Sequence, residues 1–175
     1  PGKRFSDDIK ATDMWYECYT AAVKGKDYKP LLENIKKRYY DIINELGLDL
    51  SLEKEFSIME SGFVGKAGRD YAASRGEYLN GIVLANYLGF EFIDAAEVIF
   101  FDDNGNFDAD KTNEILSERL SKVAYAVIPG FYGSMPNDTI KTFSRGGSDV
   151  TGSIVAKAVK ADLYENWTDV SGVLV

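Results

Sequence analysis

The residues best suited to chemistry in this chain lie in one short run, Ser144-Arg145-Gly146-Gly147-Ser148-Asp149. The run leads directly into Val150 to Ala161, whose apolar spacing predicts a helix. A glycine loop that opens a helix presents free backbone N–H groups and the positive end of the helix dipole, and both suit an anion. Arg145 adds a planar fork matched to a carboxylate or phosphate. Asp149 stands at the helix start, where two roles weigh equally: an N-cap, or a carboxylate that orients a lysine or a metal around phosphates. A second glycine segment, Pro129-Gly130-Phe131-Tyr132-Gly133, follows the apolar run Val123 to Ile128. Ligands gather where the strands of a parallel sheet end, and glycines there let backbone approach a ligand closely. On these residues alone the chain reads as an anion-binding α/β protein. The loop lacks the Gly-Lys-Ser/Thr ending of a Walker A loop and the spacing of a dinucleotide fingerprint.

Composition removes other chemistries. The 175 residues include 20 Lys plus Arg and 28 Asp plus Glu, a net charge of -8 that disfavours binding along a nucleic-acid backbone. There is no histidine, which excludes a His-based triad, a His general base and a His-ligated zinc. The single cysteine, Cys18, excludes an internal disulfide and fits a reduced, cytoplasmic setting. It lies in a helical pattern and reads as a structural thiol. No metal site built from protein ligands alone is expected. No apolar stretch has the length of a membrane span, and none has the form of a signal peptide. The chain opens on Pro1-Gly2-Lys3-Arg4 and stops in the apolar run Gly172-Val173-Leu174-Val175, so truncation at both ends is expected.

The elements that must position the loops can be read from spacing. Helices are predicted from Thr12 to Ala22, with Thr12 or Ser6 as cap, and from Lys29 to Leu46, with Pro30 in the first turn and Gly47 at the end. Further helices are predicted around Leu52–Ser61, Arg75–Leu88 and Thr112–Ser121. Strands are predicted at Phe90–Ile93, Val98–Phe101, Val123–Ile128 and Asp162–Trp167, the third buried on both faces of a parallel sheet. The alternation of strands and helices predicts an α/β protein.

Several segments together resemble the aspartate kinases of the amino-acid kinase family. Thr142-Phe143-Ser144-Arg145-Gly146-Gly147-Ser148-Asp149-Val150-Thr151 is similar to that family's central signature. Pro129 to Gly133 matches its preceding Pro-Gly-Phe-x-Gly, and Trp167-Thr168-Asp169-Val170-Ser171-Gly172 its later Thr-Asp-Val-x-Gly. Upstream, Ser74-Arg75-Gly76-Glu77 matches Ser-x-Gly-Glu, and Thr12-Asp13-Met14 a motif near the start. The resemblance is thin between Gly25 and Glu60. It implies a three-layer αβα sandwich with a mainly parallel central sheet, incomplete at both ends, over residues 1–175 as part of one catalytic domain.

The implied activity is transfer of the ATP γ-phosphoryl group, with Mg²⁺, to the side-chain carboxylate of L-aspartate. This is the first step toward lysine, threonine and methionine. By the same resemblance Glu77 binds the substrate ammonium and Arg145 a substrate carboxylate. The amides of Gly146, Gly147 and Ser148 hold the substrate or the moving phosphoryl, and Asp149 organises lysines and Mg²⁺. Thr168, Asp169, Gly130 and Gly133 belong to the nucleotide side, and Thr12 touches substrate. Glu77 also has the plain reading of a helix-start glutamate, Thr168-Asp169 that of a turn, and Thr12 that of a cap. A homodimeric full-length protein is implied, with no nucleic-acid or membrane partner. Two features depart from the family pattern. Ser144 replaces the usual glycine before the arginine, and a Lys-Phe-Gly-Gly-Ser segment is absent, so residues 1–175 alone are expected to be inactive. The alternatives are a glutamate, acetylglutamate or uridylate kinase of the same fold, and a non-catalytic amino-acid-binding module.

Overall fold

The computed structural model describes residues 7–144 and 146–167. Its first half is helical: α1 Ala11–Val23, α2 Lys29–Glu45, α3 Glu53–Val64 and α4 Arg69–Leu88. In α2 the apolar residues Leu32, Ile35, Tyr39 and Ile43 recur on one face and all are buried. Pro30 sits in the first turn. Gly47, at φ +65°, ends the helix by turning its N–H, with that of Leu48, back onto the carbonyls of Asn44 and Ile43. The α1 cap is Lys10, which makes no side-chain capping bond, so Thr12 lies within the helix. Ser6, the other expected cap, lies outside the described residues.

α4 is the central helix and begins six residues before the predicted Arg75. Gly68, at φ +106°, releases the chain from the preceding loop, and Asp70 occupies the first turn. The helix is buried along most of its circumference, so no single apolar stripe marks its start. Glycines allow this crowding. A Cβ on Gly76 would meet the Trp15 ring at 3.4 Å, and one on Gly81 would meet Phe92 at 2.9 Å. On one side, Trp15, Leu32, Tyr39, Phe56 and Phe63 build the helical core. On the other, Ile93, Ile99, Phe101, Leu116 and Tyr132 build a second core, and Tyr78 of α4 packs against both. The Arg75 guanidinium lies 4.4 Å from the Tyr71 ring centroid and 4.5 Å from that of Tyr78.

The second half continues with β1 Glu91–Phe92, α5 Ala95–Val98, α6 Ala109–Leu120, β2 Ala126–Val127, β3 Tyr132–Ser134, β4 Ile140–Thr142 and α7 Gly147–Ala158. β1 and β2 pair in parallel, Glu91 opposite Ala126 and Phe92 opposite Val127, with α5 and α6 in the crossover. β3 and β4 form an antiparallel hairpin, Tyr132 opposite Thr142. Phe100 bridges Ser134 in parallel, which ties the hairpin to the segment after α5.

Three strand expectations change. Val98 belongs to α5, because Asp94 caps that turn by accepting from the Ala96 N–H at 3.0 Å, and only Phe100 and Phe101 make strand-like bridges. The strand predicted over Val123–Ile128 contracts to Ala126–Val127. Among the described residues only β1 lies beside it, and Tyr125 is 67% exposed rather than enclosed on both faces. Asp162–Trp167 forms no strand and is exposed, since no described strand lies alongside to accept its backbone groups. Among the described residues no helix is long and apolar enough to cross a membrane.

Cys18 is fully buried in the helical core, and burial, reinforced by the charges of Glu60 and Glu17, pushes its thiol up to about 12. A pKa raised above the ordinary value of 9.0 stabilises the fold fully below that value. The contribution is lost as pH rises from about 9 through about 12. Native protein at pH 8 is therefore expected to leave Cys18 unmodified by a thiol-exchange reagent, with full reaction after denaturation. A fast stoichiometric reaction of native protein would contradict this.

Candidate functional site

The two glycine segments converge on the start of α7. The helix begins at Gly147 with Gly146, at φ +59°, as its cap. Its first three residues are thus Gly147, Ser148 and Asp149, three positions earlier than the predicted start. Asp149 is therefore not the N-cap. Its carboxylate sits exposed in the first turn, where the helix dipole favours it, and accepts from the Asn166 side-chain amide at 3.1 Å.

The loops mesh through their glycines. A Cβ on Gly130 would meet Ser148 at 3.0 Å, and one on Gly147 would meet the Phe131 Cβ at 2.6 Å and the Phe143 Cβ at 2.9 Å. Each segment thus presses a glycine against a side-chain-bearing residue of the other. Between them Phe131 adopts φ +66°, a left-handed conformation that bulky residues avoid. Its backbone is held at both ends: the N–H donates to Thr151 Oγ1 at 3.0 Å, and the carbonyl accepts from the Phe143 N–H at 2.8 Å.

Across from this seam runs α4. Ser74 is buried, donates to the Tyr71 carbonyl at 2.8 Å and accepts two bonds from the Arg75 guanidinium. The Tyr39 hydroxyl donates to the Gly76 carbonyl at 2.9 Å, pinning the helix at that turn. Burial raises the Tyr39 phenol, and the Glu77 charge adds to the shift, so this donor stays protonated. Glu77 itself is half-buried, and its side chain makes no hydrogen bond or ion pair among the described residues. It faces a cavity of about 510 Å³ shared with Gly130 and Ser148.

The remaining walls of that cavity are largely apolar, supplied by Leu84, Val127, Pro129, Val155 and Leu163. A pocket with a few polar groups at one end of an apolar surface is the common form of a small-molecule site. The structure thus brings together Glu77, Gly130 and Ser148, with Gly146, Gly147 and Asp149 on the adjoining turn. Gly133 lies apart in β3, buried against the backbone of Ile99. Thr12 lies on α1 and does not line the cavity. Arg145, Thr168 and Asp169 lie outside the described residues.

Sequence reasoning missed Asn80, Gly81, Thr151 and Gly152, which also line the cavity. Their signal was helical phase: Asn80 and Gly81 fall three and four positions after Glu77, on one face of α4. Among the described residues no cluster of three or more Asp, Glu, Cys or His could hold a metal by itself. An isolated carboxylate such as Asp149 fits a cation that arrives already bound to phosphates.

The chain resembles known proteins over most of its length. The profile of the family described as "Amino acid kinase family" matches residues 21–175. Aspartokinase 3 of Bacillus subtilis is 31% identical over 188 aligned positions, spanning 99% of this chain and 41% of the relative. The crystal structure of Clostridium acetobutylicum aspartate kinase superposes with a TM-score of 0.94 at 52% identity, covering 99% of this chain and 40% of that one. Aspartokinase III of E. coli, solved in complex with lysine and aspartate, shares the fold at a TM-score of 0.73 and 22% identity. The chain spans about two fifths of the length of these relatives. With residues 21–175 matching the family profile and the meshed glycine loops facing Glu77, the chain belongs to the amino acid kinase family.

Proposed function

We propose that this chain is the acceptor-side part of an aspartate kinase, which transfers the γ-phosphoryl group of ATP to the side-chain carboxylate of L-aspartate. The observation that carries the reading is the half-buried carboxylate of Glu77, without an ionic partner, facing the Gly130–Ser148 seam across one cavity. An amino-acid substrate offers an ammonium and two carboxylates. Glu77 supplies the anion that the ammonium needs. The α7 N-terminus, its amides and the Arg145 guanidinium supply the complementary cationic side.

The chemistry demands little of the protein beyond placement. A substrate carboxylate oxygen bonds to the γ-phosphorus, the bond from that phosphorus to the β,γ-bridging oxygen breaks, and ADP departs with the bonding pair. The attacking carboxylate carries no proton, so no general base is required, and a chain without histidine can do this work. Gly146, Gly147 and Ser148 present amides to the oxygens on which charge accumulates, and Asp149 orients the cations around them. No lysine or arginine lines the cavity among the described residues, so charge neutralisation falls to Arg145 and to groups outside them. Mg²⁺ bound to ATP supplies part of that neutralisation. Thr168 and Asp169 take the nucleotide side. Homodimerisation of the full-length protein and a cytoplasmic location belong to the same reading and rest on the resemblance alone.

The test is ADP release by the full-length protein with L-aspartate, L-glutamate, N-acetyl-L-glutamate or UMP as acceptor, with hydroxylamine present to trap acyl phosphate as hydroxamate. L-Aspartate is expected to be preferred at least tenfold in kcat/KM. Preference for any other acceptor, or no acceptor-dependent turnover, overturns the reading. Residues 1–175 alone are expected to show no turnover.

A further inference from the structure

We infer that Thr151 is a positioning residue for phosphoryl transfer, acting through Phe131 and Gly147 rather than on the substrate. The inference rests on the aspartate kinase reading above. Thr151 is 3% exposed, and its hydroxyl makes two bonds that serve different elements. It donates to the Gly147 carbonyl at 2.9 Å, one helical turn back, as a threonine inside a helix commonly does. It also accepts, at 3.0 Å, from the N–H of Phe131, a loop residue 20 positions away. That second bond has no role in forming α7.

The bond falls where the loop most needs restraint. Phe131 holds φ +66°, and conformations of this kind persist only where surrounding structure enforces them. With the Phe131 carbonyl already bound to the Phe143 N–H, Thr151 fixes the remaining backbone group. The neighbour, Gly130, is then held against Ser148, where a Cβ would come to 3.0 Å. Gly147 in turn is held against Phe131. One hydroxyl therefore joins the two glycine segments and sets where the Ser148 amide stands relative to Glu77 across the cavity. Losing it leaves the fold of α7 intact and lets the seam open. A displacement near 1 Å in a positioning group costs on the order of 100-fold in rate.

The experiment compares Thr151→Val and Thr151→Ser in the full-length enzyme. Valine keeps the shape and removes both bonds; serine keeps both. Thr151→Val is expected to lower kcat with L-aspartate by about 30-fold or more, with the KM for ATP within threefold of the parent. Thr151→Ser is expected to stay within threefold in kcat. A purely structural threonine would shift melting temperature without this split or this rescue. If the parent is active and Thr151→Val, or Thr151→Ala should the valine variant not fold, keeps kcat within twofold, the inference fails. If neither variant folds while Thr151→Ser does, the hydroxyl serves domain stability and the positioning role is overturned. An inactive parent would instead sink the aspartate kinase reading, which separates the two failures.

Discussion

Glu77→Gln is expected to lower kcat/KM for L-aspartate by about 100-fold or more while leaving the KM for ATP nearly unchanged. Glutamine keeps the size and the hydrogen-bonding oxygen but removes the charge. Loss of one partner from a desolvated charge pair costs about 2–5 kcal/mol, which brackets that factor. The same change should barely alter stability. Among the described residues the Glu77 side chain makes no hydrogen bond or ion pair that the fold would miss, and it lies half-buried on a cavity wall. Glu77 lines the cavity with no side-chain partner of its own among those residues, which leaves its carboxylate available to a substrate ammonium. Steady-state kinetics with aspartate varied, together with thermal melting of both proteins, would decide. A large fall in melting temperature with unchanged aspartate kinetics would return Glu77 to the plain role of a helix glutamate.

What the sequence discloses about this fold divides along physical lines. α2 is legible almost to its ends because every signal there is local: Pro30 at the start, an apolar face through Ile43, and Gly47 after the last turn. α4 is less so, because a helix buried on most sides carries no stripe, and its start depends on the Gly68 backbone rather than on periodicity. Strands fare worst. Ala126–Val127 pairs with Glu91–Phe92 across more than thirty residues of chain, and Asp162–Trp167, which carries Leu163, Tyr164 and Trp167, finds no described partner. Pairing, not composition, makes the strand.

The site divides in the same way. The reading of Gly146, Gly147 and Ser148 as an anion loop is open to sequence because glycine before a helix is a local signature. The bond from Phe131 to Thr151 is invisible in sequence, since threonine five positions into a helix has an ordinary local explanation. Asp149 shows the limit between these cases. Its place near the helix start was legible, but the loop closes one turn tighter than its side chains suggest, with Gly146 as cap.

Gly133→Ala is expected to destabilise the protein by about 3 kcal/mol, the upper end of overpacking effects, without a matching change in ATP binding. Gly133 sits in β3, whose Ser134 is bonded to the neighbouring segment on both its groups. Its N–H donates to the Ile99 carbonyl at 2.9 Å, and its carbonyl accepts from the Phe101 N–H at 2.8 Å. A methyl group on Gly133 would land on the Ile99 carbonyl oxygen and within 2.8 Å of Ile99 Cγ2. Backbone cannot rotate aside as a side chain can, so the segment from Ile99 to Phe101 must separate from β3, and with it the second core around Tyr132. Gly130, three residues beyond the end of β2, has a different neighbour: its Cβ would meet Ser148, at the cavity. The two glycines of the Pro-Gly-Phe-Tyr-Gly segment therefore divide the work, one admitting the Ile99–Phe101 segment and the other lining the cavity. Thermal melting should show Gly133→Ala falling by about 6–12 °C for a domain of this size. The protein that remains folded should bind ATP with a KM within threefold of the parent. An unchanged melting temperature with a tenfold rise in that KM would assign Gly133 to the nucleotide instead.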